Sequence, residues 1–417
     1  EALIYSNNAR ALAQEGSPLT LAVVVPGDDE LLARAILQGV AQAQNEFNDE
    51  GKGGLNGQLL QIAIADDGNA PERAKKVAGK LVEKHKSVLG VIGHSSNIAS
   101  QATLSEYSKA NSELAIISPT SSSIWLSDQN FFRTVPSDTE FGKQLAELVN
   151  NKLTQKKLDK NVVVVYSADT FDSIYLKEAF EKQFKNERIG GTVVKTISFS
   201  DPDLNSEVFS EEAEAAILLP NQASIDQAIE IAKINAGLSN EEKLLLFGGD
   251  TLLNNKVLNQ GKEAVEGLVL AVPWFPDESD QSNNFITTAN DYWGEEKVSW
   301  RTATSYDATQ AFINVLSSNT SREEVLEKLR EIQLKSDETS GGTLEFNADG
   351  ERQCVPKSES EPGKLYEPTI IKVVKDKSEP AEANDAKFKF DLEEAESEPA
   401  EANDTKFEFD LEEKGGC

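Results

Sequence analysis

The chain has 417 residues, 39% of them hydrophobic, enough for two or three domains with substantial cores. Its 71 acidic against 41 basic residues leave a net charge of -30, which disfavours nucleic acid and acidic membranes because both require basic patches. No apolar run of about 18 residues is present, so no membrane span is expected.

The first residues, Glu1-Ala-Leu-Ile-Tyr5, lack the basic and apolar regions of a signal peptide. Either a signal has been removed or the sequence is a piece of a longer protein. Residues 1–16 read as the end of a polar helix, with Leu3, Ile4, Ala11 and Leu12 as packing positions, broken by Gly16-Ser-Pro18. A continuous apolar run, Leu19 to Val25, then predicts a buried strand, and Glu30 to Glu50 shows apolar residues at helical spacing. The glycine cluster Gly51 to Gly57 follows a helix rather than a strand and lacks the Gly-Lys-Ser/Thr ending, so it is not a phosphate loop. Leu59 to Ala65 predicts the second strand and Pro71 to Lys84 a helix with proline in its first turn.

Two further strands follow, and they carry the polar residues of interest. One ends Val88-Leu-Gly-Val-Ile-Gly-His94-Ser-Ser-Asn97, the other Leu114-Ala-Ile-Ile-Ser118-Pro-Thr-Ser-Ser-Ser123. Continuous apolar runs suit parallel strands covered on both faces, and ligands of open α/β sheets lie beyond their carboxyl ends. The pattern restarts after Phe131-Phe-Arg-Thr-Val-Pro136. Strands are predicted over 161–166, 191–198, 215–219, 244–247 and 267–272, alternating with helices over 138–152, 171–186 and 222–236. Helices near 283–293, 302–317 and 321–333 should return to the first lobe. A β segment is predicted near 341–347 and a last strand over 368–374.

The tail from 376 contains a repeat. Residues 378–394 recur 19 positions later as 397–413, and the tail's 15 acidic and 5 basic residues give it a net charge of -10. Such a composition predicts a solvated, largely disordered segment. The alternative rests on Phe388, Phe390, Phe407 and Phe409, whose alternation would let the copies form a hairpin or dock on an edge strand.

No catalytic constellation is found. His85 and His94 are the only histidines, no G-x-S-x-G turn supplies a nucleophile, and no His/Cys spacing suits a metal, so neither enzyme nor cofactor is expected. His94 is read as structural, packing and hydrogen-bonding the strand end, with direct ligand contact as the alternative. The two cysteines, Cys354 and Cys417, are expected as unpaired thiols. What remains is a binding site. Ser95 to Asn97 and Ser121 to Ser123 offer hydroxyls, an amide and backbone N–H groups suited to a carboxylate. Asp250, at a strand end of the other lobe, suits an ammonium, with Phe171 and Trp274 as apolar walls. Taken alone, the serines and Asp250 also fit plain helix capping.

Gly93-His94-Ser-Ser-Asn97, Ile117-Ser-Pro-Thr-Ser-Ser-Ser123, Phe132-Arg-Thr-Val-Pro136 and Phe247-Gly-Gly-Asp250 give the chain a resemblance over about 18–375. It resembles the leucine/isoleucine/valine-binding family of type I periplasmic binding proteins, cyanobacterial members in particular. The resemblance implies an α/β architecture of two doubly wound parallel-sheet lobes joined by three crossings, near 136, 272 and 341. The divisions are then a helical extension 1–17, a first lobe of 18–136 plus 272–340, a second lobe of 137–271 plus 341–375, and the tail 376–417. It places a ligand carboxylate on Asn97 or Ser96 and on Ser122, and an ammonium on the Ser121 carbonyl and Asp250. Phe171, Leu32, Gln222 and Trp274 become the walls. Asn97 stands where a serine is common, Asp250 is one methylene shorter than the usual glutamate, and the small disulfide of some relatives is absent. The implied function is extracytoplasmic capture of an amino acid by hinge closure and its presentation to an ABC permease. A ligand-sensing domain working through a signalling partner, or a binder of amides or nucleobases, would have the same fold.

Overall fold

The computed structural model describes all residues except 50, 52, 110–111, 210–211, 277–283, 295–297, 356–363, 376–406 and 414–417. Helix α1 (Ala2–Ala13) precedes the alternation β1 (Leu19–Val25), α2 (Glu30–Phe47), β2 (Leu60–Asp66), α3 (Pro71–Glu83), β3 (Val88–Ile92), α4 (Asn97–Tyr107), β4 (Ala115–Ser118) and β5 (Phe131–Arg133). These five strands form one parallel sheet in the order β2-β1-β3-β4-β5. Every residue of β1 is buried, as expected of a parallel strand covered on both faces.

The chain then builds a second sheet. Its elements are α5 (Asp138–Lys156), β6 (Asn161–Tyr166), α6 (Phe171–Phe184), β7 (Thr192–Ser198), α7 (Leu204–Val208), β8 (Ala215–Leu219), α8 (Ile225–Gly237), β9 (Leu245–Gly248), α9 (Asn255–Gly261) and β10 (Val269–Val272). Helices α10 (Asn284–Trp293), α11 (Trp300–Val315) and α12 (Arg322–Leu329) return to the first lobe. The short strands β11 (Glu345–Phe346), β12 (Arg352–Cys354) and β13 (Lys364–Leu365) form a small antiparallel sheet. Strands β14 (Thr369–Lys375) and β15 (Phe407–Glu413) extend the second large sheet, whose order is β15-β14-β10-β9-β8-β6-β7.

Helix α11 is the keystone of the first lobe. It is buried nearly all round although it carries Thr302, Thr304, Ser305 and Thr309. Three of those hydroxyls donate back to carbonyls of the same helix: Thr304 to Trp300 at 2.9 Å, Ser305 to Arg301 at 2.6 Å and Thr309 to Ser305 at 2.7 Å. Hydrogen-bonded in this way, they are buried without an unmatched polar group. Two glycines let the helix approach. A methyl at Gly39 of α2 would fall 2.1 Å from the Thr302 carbonyl oxygen, and one at Gly90 of β3 would fall 2.2 Å from the Phe312 ring.

Several expectations change. The amino-terminal helix is part of the first lobe: Ile4 is fully buried in its core, while Leu12, expected to pack, is exposed. Its Asn8 side chain donates to the Ile62 carbonyl at 2.8 Å and accepts from the Ile62 N–H at 2.9 Å, occupying the edge of β2 as a strand would. The third crossing does not lie near 341. Leu344 and Phe346 are buried in the first-lobe core, and the Arg133 N–H donates to the Gly350 carbonyl at 2.9 Å. Arg352 forms a fully buried ion pair with Asp307 of α11 at 2.6 Å, so the segment stays with the first lobe through at least residue 352. The passage to the second lobe comes by Glu367, which faces Lys143 of α5 at 3.7 Å. Cys354 is disulfide-bonded instead of a free thiol; the sequence has one other cysteine, Cys417. The tail is a strand at 407–413, antiparallel to β14; the possible pairing of the two copies with each other lies outside the described residues.

Gly39→Val should cost about 3 kcal/mol, because the side chain meets the backbone of α11 with no room to turn aside. Urea unfolding of the variant measures this, and a loss under about 1 kcal/mol would show that α2 and α11 can separate freely.

Candidate functional site

The polar loops at the ends of β3 and β4 lie side by side, fixed from behind by buried groups. His94 is fully buried, with Nδ1 2.6 Å from Asp67 Oδ2 and Nε2 3.1 Å from the Tyr107 hydroxyl. Burial raises the Asp67 carboxyl, but the hydrogen bond and charge of His94 outweigh it and hold the group below its ordinary range. The His94 carbonyl accepts from Ser118 at 2.8 Å and from Ser100 and Ser121 at 3.4 Å, which stitches the two strand ends together. Arg133, also buried, donates to the carbonyls of Ser123 and Leu126 at 2.7 Å each and so fastens the second loop.

On this base the predicted residues separate into two groups. Asn97 faces the other lobe: its Oδ1 accepts from the Ser123 N–H at 3.0 Å, and its Nδ2 donates to Asp172 Oδ1 of α6 at 2.6 Å. Ser122 is tied to Asp138 twice, through its carbonyl, which accepts the Asp138 N–H at 2.9 Å, and through its hydroxyl. Ser96 caps α4, accepting from the Ala99 N–H at 3.2 Å, and donates to Asn69. The Ser121 hydroxyl lies behind the loop, 2.8 Å from that of Ser100. For Ser96 and Ser121 the side chains are therefore committed to building the loop.

Asp250 follows β9 and is answered from the first lobe by Arg301, at 3.9 Å. Arg301 stands in the first turn of α11 with its guanidinium 4.1 Å from the Trp300 ring centre. Two polar pairs thus cross between the lobes, Asn97 to Asp172 and Arg301 to Asp250. Asp138 completes the group. Burial raises its carboxyl to about 7, with a further rise from Asp172 and Asp250 against the opposing effect of the Ser122 hydrogen bond and Arg133. Asp172 and Asp250 are also raised, chiefly by burial; Asn97 opposes the first shift and Arg301 the second. Two buried polar atoms here lack a partner among the described residues, Asp138 Oδ2 and the Ser95 hydroxyl.

The proposed walls are brought together less completely. Phe171 is 49% exposed beside Asp172, stacked on Tyr175 at 5.7 Å. Leu32 lies in the first turn of α2, packed against the first-lobe core, with its N–H held at 3.0 Å by Asp29, a carboxylate that also acts on Arg301. Trp274 is not a cleft wall: it is buried edge-on against Phe285 at 6.0 Å and donates to the Ser340 carbonyl at 3.3 Å. Its apolar ring is more stable in that small core than at a polar opening. Gln222 is exposed in a 3-10 turn, and among the described residues no side-chain hydrogen bond or ion pair joins it to the site.

The sequence model for periplasmic binding proteins matches residues 19–353. The chain belongs to the periplasmic binding protein family. A Pseudomonas aeruginosa protein described as an amino acid binding protein is 25% identical over 182 residues, 43% of this chain and 46% of that protein. The match thus spans about half the length of that curated relative. Among solved structures, the branched-chain amino acid transporter substrate binding protein LivJ of Streptococcus pneumoniae, with isoleucine, superposes with a TM-score of 0.67 at 16% identity, covering 84% of this chain and 99% of that one. An ABC transporter substrate-binding protein of Desulfitobacterium hafniense, with leucine, gives 0.67 at 22% identity, covering 85% and 97%. A solute binding protein of R. palustris, with benzoate, gives 0.65 at 17% identity, covering 85% and 93%. These likenesses establish the type I periplasmic binding protein fold.

Asp138→Asn should raise stability increasingly between pH 5 and pH 8. The folded-state carboxyl titrates near 7, above its unfolded value, so its protonated form favours folding at low pH and that contribution is lost as pH rises through about 7. The asparagine keeps the neutral state throughout, giving a gain of about 4 kcal/mol at pH 8 and little at pH 4. Thermal unfolding of both proteins across pH measures it; a pH-independent difference would contradict the assignment.

Proposed function

We propose that this chain is an extracytoplasmic solute-binding protein that captures an amino acid between its lobes and presents it to an ABC permease. The observation that carries this reading is the pairing of opposite chemistries across the cleft. The first lobe brings the Asn97 amide, the Ser122 region and the Arg301 guanidinium; the second brings Asp172 and Asp250. An α-ammonium answers Asp250 and Asp172, and an α-carboxylate answers Asn97 and Arg301. Each end of the zwitterion replaces one partner of a cross-lobe pair, so closure is favoured without leaving a buried charge unanswered.

The unpartnered Ser95 hydroxyl and Asp138 carboxylate oxygen supply further polar contacts at the same place. Phe171 offers an apolar surface to the ligand side chain. The amino-acid ligands named for the Streptococcus and Desulfitobacterium structures support this class, whereas the benzoate of the R. palustris protein shows that the fold alone does not select it. The disulfide at Cys354 fits an oxidising, extracytoplasmic location. Among the described residues no cluster of His, Cys, Asp and Glu suits a metal ion, and the reading requires no catalysis.

Isothermal titration against the twenty amino acids tests the proposal directly. Asp250→Asn should weaken the best ligand about 100-fold, as expected for a charge-assisted contact, with stability within about 1 kcal/mol of the parent. Affinity should also rise from pH 5 to pH 8, because carboxyls with raised pKa values hold an ammonium well only once ionised. Unchanged affinity in the Asp250 variant would remove the zwitterion reading.

A further inference from the structure

The second copy of the acidic repeat is a docked strand. Residues 407–413, Phe-Glu-Phe-Asp-Leu-Glu-Glu, pair antiparallel with β14 in a register that sets Phe409 opposite Val373 and Leu411 opposite Ile371. Phe409 and Leu411 pack partly buried against the second-lobe core, on the sheet face that holds Ile371 and Val373. Glu412, on the opposite strand face, pairs with Lys152 of α5. The recognition elements are therefore two apolar anchors two residues apart, an acidic residue after the second anchor, and the backbone ladder itself.

The first copy contains the same elements. Residues 388–394 read Phe-Lys-Phe-Asp-Leu-Glu-Glu and differ from 407–413 at one position, Lys389 in place of Glu408. Phe390, Leu392 and Glu393 correspond to Phe409, Leu411 and Glu412. Position 408 is opposite Val374 in the ladder and is neither of the two anchor positions, so the exchange leaves both anchors unchanged. The connection from Lys375 is also sufficient: residues 376–387 join β14 to the first copy, whereas 376–406 join it to the second. Loop-closure entropy favours the shorter connection about fourfold. The lysine acts the other way, exchanging an acid for a cation in a segment whose counterpart is held in part by the Glu412 pair with Lys152.

We propose that the outer edge of β14, the one away from β10, is a docking site for either copy, so that the chain carries two competing ligands, 388–394 and 407–413, for one strand position. The edge then remains covered when the second copy leaves. The proposal concerns the edge of the second lobe and does not depend on the identity of the solute in the cleft.

Hydrogen exchange on the full chain tests it. In the Phe409→Asp/Leu411→Asp variant, β14 amides should keep protection within about tenfold of the parent, with new protection over 388–394. Adding Phe390→Asp/Leu392→Asp should then expose the edge and lower that protection about 100-fold. If the two-site variant exchanges as fast as the four-site variant, or gains no protection over 388–394, the proposal is overturned. If the aspartates prevent folding, Phe409→Ala/Leu411→Ala and the corresponding four-site alanine variant give the same readout and the same decision.

Discussion

Two carboxylates of the second lobe find their partners in the first: Asp172 reaches the Asn97 amide, and Asp250 reaches the Arg301 guanidinium. The cleft depends on this arrangement, because Asp172 and Asp250 both raise the proton affinity of Asp138, and Asp172 raises that of Asp250. Without groups from the opposite side, bringing the lobes together would concentrate negative charge at falling solvation, which is unfavourable. Closure therefore requires cations and donors. The protein supplies some of its own, the Asn97 amide and the Arg301 guanidinium. The looseness of the Arg301 to Asp250 approach, at 3.9 Å, makes it the pair more easily replaced.

The loops that face the cleft are positioned by a second tier of buried polar contacts. His94 joins Asp67 and Tyr107, Arg133 holds two loop carbonyls, and Asp307 gathers Arg352 with the N–H and hydroxyl of Ser340. Buried groups of this kind are costly when any partner is missing, so each permits little displacement of its neighbours. That explains why the serines near the cleft do different work. Ser121 and Ser96 build the loop, and Asn97 and Ser122 face outward from it.

The strand positions were legible because central parallel strands leave unbroken apolar runs, and the two loops announced themselves by hydroxyl residues at abrupt ends of those runs. Asp138, Asp172 and Arg301 were not legible as site residues. Each lies in the first turn of a helix, where an acid reads as an ordinary helix-end charge and an arginine beside a tryptophan has no local signal at all. Trp274 was misplaced for a related reason: an aromatic after a strand end suits a wall and a small core equally until Phe285, eleven residues on, is known to meet it. The third crossing, placed near 341 by the family resemblance, was set too early because the buried Arg352 and Asp307 pair, formed across 45 residues, keeps the following segment with the first lobe. The acidic tail hid a strand because its charge outweighs, in composition, the two apolar anchors that fix it.

The dependence of the first lobe on α11 and α12 has a consequence for how the molecule is made. Phe312, Val315, Val325 and Leu329 complete a core begun by Leu21, Val23, Ile36 and Val40, so the lobe that leaves the ribosome first cannot be finished until β6 to β10 of the other have been made. While residues 134–299 are added, the nascent chain carries one open apolar face on the first sheet, and the second sheet still awaits β14. In that interval a holding chaperone would find its grip on the early half of the chain.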